Sequence, residues 1–277
     1  RDGFRPRAYL QKTAGKITRG GTLKILLIAG HGGTPYDSGA VGCGYTEAVE
    51  TRRMAMAVAP KLKKYGFSVE IYDQSRDAYK VVTQGGSLPL SGVSYVIEFH
   101  LNSAANDRKG NGRTTGSEIF VHPSEDGVGV EQAILKRLYA LGFTNRGVKR
   151  NSSFAVLRHV KRRGVSHALI ETCFIDDADD MKLYKNKFYE IADAIADGVA
   201  EGFGREVDEM SYEQFCAFMA RYEKERAAKG PSAWAAGAWQ AAQDADITDG
   251  ISPQGAMTRE MCVMMLQRCG LVGRKER

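Results

Sequence analysis

The chain has 277 residues, 43% hydrophobic and 26% charged, enough for one substantial core and a small second domain. No apolar run reaches the roughly 18 residues that cross a bilayer, so no membrane span is expected. The net charge of +6 does not mark a nucleic-acid binder: Arg1, Arg5, Arg7, Lys12, Lys16 and Arg19 face only Asp2 within residues 1–22, and the remainder is close to neutral.

Residues 1–22 lack aromatic interleaving and the apolar stretch of about 7–15 residues that marks a secretory signal. They are expected to form a basic flexible extension or an added leader, and the protein is expected to be made in the cytoplasm. Cys43, Cys173, Cys216, Cys262 and Cys269 show no CxxC spacing and read as thiols of a reducing compartment.

Residues 24–29 form a nearly continuous apolar run, the mark of a strand buried on both faces of a parallel sheet. Thr46 opens a helical pattern through Ala48, Ala55, Ala59 and Leu62, with Gly66 as its stop and Pro60 expected to kink it or end it early. Segments 68–73, 93–99, 117–121 and 167–170 read as further strands, and Val130, Ile134, Leu138 and Leu141 mark a helix face. Met181, Tyr184, Phe188, Ile191, Ile195 and Val199 mark one long helix. The alternation predicts an α/β domain over residues 23–204, with a mostly parallel central sheet flanked by helices on both faces. Residues 205–210 read as a linker, and 211–277 as a small all-helical domain of three helices, the last capped by Thr258.

His31, His100 and Glu171 each fall just after a predicted strand, and Glu47 lies in the first turn of the helix that follows His31. Carboxyl ends of parallel strands converge on one sheet edge, where ligands bind. Two imidazoles and one carboxylate make an open zinc site with room for water or substrate. Glu171 follows Ala-Leu-Ile, so burial should raise its pKa toward the range useful for a general base. Gly30, Gly32 and Gly33 allow a sharp turn beside His31. Asp37 in the same loop either orients a ligand histidine or structures the loop. Cys173 invites a rival reading as a nucleophile paired with His100, because simple alternation puts it on the face of Glu171. That reading leaves His31 and Glu47 without a task. His122 and His159 read as loop or groove residues, His167 as structural, and Arg158, Lys161, Arg162 and Arg163 as a solvated basic face.

Ile28-Ala29-Gly30-His31-Gly32-Gly33, Asp37-Ser38-Gly39-Ala40, Thr46-Glu47-Ala48, Phe99-His100-Leu101-Asn102-Ser103-Ala104 and Leu169-Ile170-Glu171-Thr172-Cys173-Phe174 occur in that order. Together they resemble the zinc-type N-acetylmuramoyl-L-alanine amidase family, amidase-3, from about Leu23 to Gly204. The resemblance implies one Zn2+ held by His31, Glu47 and His100, with Glu171 catalytic and Asp37 and Asn102 beside the metal or in the substrate groove. It implies hydrolysis of the amide between the N-acetylmuramic acid lactyl group and L-alanine of peptidoglycan. A zinc peptidoglycan carboxypeptidase and a non-enzymatic wall-binding protein are the alternatives.

The segment 211–277 resembles a single S-layer-homology repeat through Trp234, Trp239, Ile247-Thr248-Asp249-Gly250, Pro253 and Thr258-Arg259-Glu260. That likeness implies binding of secondary wall polymers, with Trp239 and Arg259 as candidate contacts. Helices filling a small core or pairing copies into an oligomer are the competing reading. A wall-cutting amidase with such a module looks like a phage or prophage endolysin, which reaches the wall only after release from the cell.

Overall fold

The computed structural model describes residues 22–33, 37–207 and 212–271. The basic segment 1–21 and residues 208–211 around the expected linker lie outside the described residues. In chain order the elements are β1 (Lys24–Ala29), β2 (Val41–Gly42), β3 (Tyr45–Thr46), α1 (Glu47–Lys64), β4 (Ser68–Ile71), α2 (Ala78–Thr83), β5 (Val93–Asn102), β6 (Ser117–Val121), α3 (Gly129–Leu141), β7 (Asn145–Arg150), α4 (Ala155–Arg162), β8 (Ser166–Phe174), α5 (Ala178–Asn186), α6 (Phe188–Gly202), α7 (Tyr212–Ala227), α8 (Ala236–Asp244) and α9 (Arg259–Arg268). The chain divides into two compact units, Arg1–Val207 and Asp208–Arg277.

The first unit is built on a six-stranded sheet of order β4-β1-β5-β8-β6-β7. Strands β4, β1, β5 and β8 run parallel, while β6 pairs antiparallel with β8 and parallel with β7. The expected α/β architecture is the one observed. Side-chain alternation divides the core between the two faces. Ile25 and Leu27 of β1 join Ile97, Phe99 and Ile170 against residues of α1, α3 and α6. Leu26 and Ile28 point the other way and pack with Val96, Ala78 and Val156, the last two from α2 and α4. Each such fully buried aliphatic side chain contributes about 1.5–3 kcal/mol through its removal from water.

Three local expectations change. Pro60 does not end its helix early, since α1 runs on to Lys64. Pro60 and Met56 are both exposed, so the Met56 carbonyl that loses its partner faces water. The long C-terminal helix of the first unit is two helices, interrupted at Lys187 with φ −122° and ψ 29°. Lys187 Nζ also donates to the Leu141 carbonyl at 2.9 Å, which ties the break to the end of α3. Finally, the strands before His100 and around Glu171 extend past those residues, to Asn102 and Phe174.

The Gly- and Asn-rich stretch 106–115 is held by a run of aspartates at the start of α5. Asp179 accepts from the amides of Asn111 and Gly112, and Asp177 from the amide and hydroxyl of Thr115. In the second unit, Thr258 Oγ1 accepts from the Met261 amide at 3.1 Å, the expected N-cap of α9. Neither α8 nor α9 has a buried residue, and Trp234 is 90% exposed.

Candidate active site

The three central strands β1, β5 and β8 are adjacent and parallel, so their carboxyl ends open on one edge. His31 sits two residues past β1, while His100 and Glu171 are register partners on β5 and β8. Neighbouring strands hold such partners about 5 Å apart. Glu47 enters from the first residue of α1, whose start is tied to the preceding loop by its amide bond to the Ala40 carbonyl at 2.9 Å. Residues separated by more than a hundred positions thus meet in one cleft of about 420 Å³.

Ligand-capable atoms of His31, Glu47 and His100 all lie within 4.8 Å of one another. Glu47 Oε1 is the hub, 3.1 Å from His31 Nε2 and 2.9 Å from His100 Nδ1. Two backbone amides hold this carboxylate in place, Leu101 N on Oε1 at 3.1 Å and Ala40 N on Oε2 at 2.9 Å. Burial alone would raise the Glu47 pKa, but the bonds to His100 and His31 hold it well below the usual carboxylate range. Burial likewise opposes the charged form of both histidines, and their contacts with Glu47 outweigh it and raise both.

The loop around His31 is built for this placement. His31 itself adopts φ +65°, a left-handed conformation uncommon outside glycine, and its carbonyl is held by Arg52 Nη2 at 3.0 Å. A Cβ at Gly30 would lie 2.4 Å from the His100 ring, and one at Gly39, where φ is +63°, 2.6 Å from the His31 ring. Of the three glycines expected to shape the turn, only Gly33 has positive φ, and Gly30 is required for close approach. Asp37 Oδ2 lies 2.9 Å from His31 Nδ1, which leaves Nε2 for the centre of the cluster. Asn102 lines the same cleft, where its Nδ2 donates to Glu118 Oε1 at 2.8 Å.

Glu171 differs from Glu47. Its Oε2 is buried with no hydrogen-bond partner among the described residues. Burial raises its pKa to about 7, opposed by the charge of His100 and assisted by that of Glu47. A carboxyl that is poorly solvated and open on one oxygen can take and return a proton near neutrality.

One residue at the site escaped the sequence reading. Glu98 is 4% exposed, and its Oε1 lies 3.3 Å from His100 Nε2. His167, read as structural, has its Nε2 3.2 Å from Glu98 Oε2. The available signal was parity: Glu98 is two residues before His100 in a largely apolar strand and must share its face. Parity misled at Cys173. The register shifts between the His100–Glu171 and Asn102–Phe174 pairs, and Cys173 turns into the core instead of the cleft. Its Sγ is fully buried, 3.8 Å from Met181 Sδ, and burial pushes the thiol well above its ordinary pKa. Trp239 and Arg259 lie in the second unit, on α8 and at the start of α9.

The sequence matches the family model Amidase_3, N-acetylmuramoyl-L-alanine amidase, over residues 25–201. Comparison with curated proteins gives no match. Among solved structures, N-acetylmuramoyl-L-alanine amidase AmiC2 of Nostoc punctiforme is 22% identical with a TM-score of 0.53, covering 67% of this chain and 99% of its own. The catalytic domain of CwlV, N-acetylmuramoyl-L-alanine amidase from Bacillus (Paenibacillus) polymyxa var. colistinus, is 23% identical with a TM-score of 0.52, covering 67% and 100%. A putative N-acetylmuramoyl-L-alanine amidase from Neisseria meningitidis is 27% identical with a TM-score of 0.51, covering 66% and 97%. The shared fold agrees with the family match, which spans more than half of the chain, and the chain belongs to the Amidase_3 family of zinc-dependent N-acetylmuramoyl-L-alanine amidases, hydrolases of peptidoglycan.

Proposed function

We propose that His31, Glu47 and His100 hold the catalytic zinc and that Glu171 is the general base for cleavage of the muramoyl–L-alanine amide. The observation that carries this reading is the pairing of a convergent His-Glu-His cluster with an unpartnered, buried carboxylate oxygen on the next strand. The donor set fits zinc: two imidazoles and a carboxylate are a known open catalytic combination, and Asp37 already orients one imidazole. Zinc, when bound, supplies Lewis acidity toward the scissile carbonyl and lowers the pKa of water beside it. Glu171 removes the proton from the attacking water and delivers it to the amide nitrogen as the C–N bond breaks. The products are a lactyl carboxylate and a free L-alanine amine. Glu47, held ionised by its bonds to the histidines and two amides, stays a ligand and does not exchange protons.

Purified walls treated with the enzyme should yield a new L-alanine amino group and stem peptides freed from glycan. Release of single terminal amino acids instead would assign a carboxypeptidase, and activity surviving complete chelation would overturn the zinc reading.

In the second unit, Trp239 and Arg259 engage wall polymer in the manner of an S-layer-homology repeat, and the whole enzyme lyses walls as an endolysin does. The support is the exposure of Trp234 and Arg259, with Trp239 half-buried, in a unit with no buried residue in α8 or α9. Removing residues 208–277 should lower retention on purified walls and spare hydrolysis of soluble fragments. Unchanged retention would count against the anchor.

A further inference from the structure

We infer that Glu98 and His167 are positioning residues that fix the His100 ring with Nδ1, not Nε2, toward the metal. The inference rests on the zinc reading of the His31, Glu47 and His100 cluster.

A carboxylate inside a largely apolar strand is costly to take out of water, so its partners matter. Strand parity and register explain why Glu98 finds the partners it does. On β5, Val96, Glu98 and His100 share a face, and their register partners on β8 are His167, Leu169 and Glu171. His167 is therefore diagonal to Glu98, and the two strands build a column running from the buried interior to the cleft. Glu98 spends one oxygen on each histidine: Oε1 lies 3.3 Å from His100 Nε2, and Oε2 lies 3.2 Å from His167 Nε2. The second contact is close but off the line of a good hydrogen bond.

The opposite ring nitrogen settles the direction. His100 Nδ1 lies 2.9 Å from Glu47 Oε1, the same oxygen that lies 3.1 Å from His31 Nε2. Nδ1 thus faces the two other ligands. A neutral imidazole carries one proton. With that proton on Nε2 and donated to Glu98, the Nδ1 lone pair is free for the ion. The other tautomer would set the Nε2 lone pair against a carboxylate oxygen and leave a proton where the metal belongs. The ring lies close against Gly30, where an added Cβ would come within 2.4 Å of it. His31 is arranged the other way, with Nδ1 on Asp37 and Nε2 toward Glu47. The two histidines therefore present different nitrogens, each fixed by its own carboxylate.

The test is a long-range proton–nitrogen correlation spectrum of the zinc-loaded, nitrogen-15-labelled full chain, with the Kd for zinc measured by competition against a chromophoric chelator. The expected spectrum shows His100 protonated at Nε2 and metallated at Nδ1, with His31 the reverse. Glu98→Gln should raise the zinc Kd about 10- to 100-fold, the usual effect of removing such a partner, with the apo fold unchanged by circular dichroism. His167→Gln should raise it less, since it acts through Glu98. Metallation of His100 at Nε2, or an unchanged zinc Kd in a folded Glu98→Gln variant, would overturn the inference and leave the zinc site standing. A wild-type chain that binds no zinc would remove both. If Glu98→Gln does not fold, the wild-type spectrum alone decides.

Discussion

Glu47 and Glu171 are both largely buried carboxylates packed beside His100, and their surroundings push them in opposite directions. Glu47 receives two backbone amides and two imidazoles, which hold it ionised despite its burial. Glu171 has an oxygen with no partner among the described residues, and desolvation lifts its pKa to about 7. The difference lies in what meets each oxygen more than in depth. A helix start met by one loop amide and one strand amide suits the proposed ligand, whereas a bare strand position suits the proposed base.

Removing each carboxylate should give the largest effects and separate the two roles. Glu171→Gln should lower kcat by about 10²–10⁴-fold with zinc content preserved. Glu47→Ala should abolish activity through loss of the metal. Steady-state kinetics beside metal analysis reads both; parallel loss of zinc in the two variants would erase the distinction.

The pH dependence follows from the same contrast. In its proposed role Glu171 acts deprotonated, so kcat/KM should rise with pH through an acidic limb at or below about 7, because a bound dication pulls the carboxyl down. Glu171→Gln should flatten that limb. His31 and His100 have raised pKa values in the metal-free protein, so protons compete with zinc. The zinc Kd should weaken by about tenfold per pH unit for each proton displaced as pH falls.

Gly39→Ala tests the loop side of the comparison. Its Cβ would meet the His31 ring at 2.6 Å and Glu47 Oε2 at 2.7 Å, at a backbone φ of +63°. A loss of about 1–3 kcal/mol in chemical denaturation is expected, with weakened zinc binding.

Glu131 sharpens the comparison as a buried carboxyl away from the sheet edge. Burial raises its pKa to about 7; its Oε1 bonds the Tyr95 hydroxyl and its Oε2 has no partner among the described residues. Because the folded pKa lies above the unfolded one, its contribution is full below about 4.5 and is lost as pH rises to about 7. Glu131→Gln should therefore stabilise the protein at neutral pH, by about 1–3 kcal/mol, and leave kcat unchanged. Thermal melts across pH check this. Cys173→Ala should have the smallest effect on activity, since the thiol is confined to the core.

Much of the candidate site was legible because His31, His100 and Glu171 each close an apolar run, and buried parallel strands announce themselves. The edge strand β7, Asn-Arg-Gly-Val-Lys-Arg, was not, because it shows no apolar alternation and four of its six residues are polar. Helix α4 was hidden behind its basic residues, although Val156, Leu157 and Val160 form its buried side. The break at Lys187 left no trace in the periodicity, since Tyr184, Phe188 and Ile191 keep one phase across it. Glu98 was missed because a strand pattern records which residues face the core, while its meaning came from the β5–β8 register.

Zinc content per chain after loading and dialysis, in wild type, Glu47→Ala and Glu171→Gln together, tests the central claim most directly. About one zinc in wild type and Glu171→Gln, and about none in Glu47→Ala, is the expected result for one open three-ligand site. Full zinc in Glu47→Ala, or its loss in Glu171→Gln, would contradict the division of the cluster into metal ligands and base.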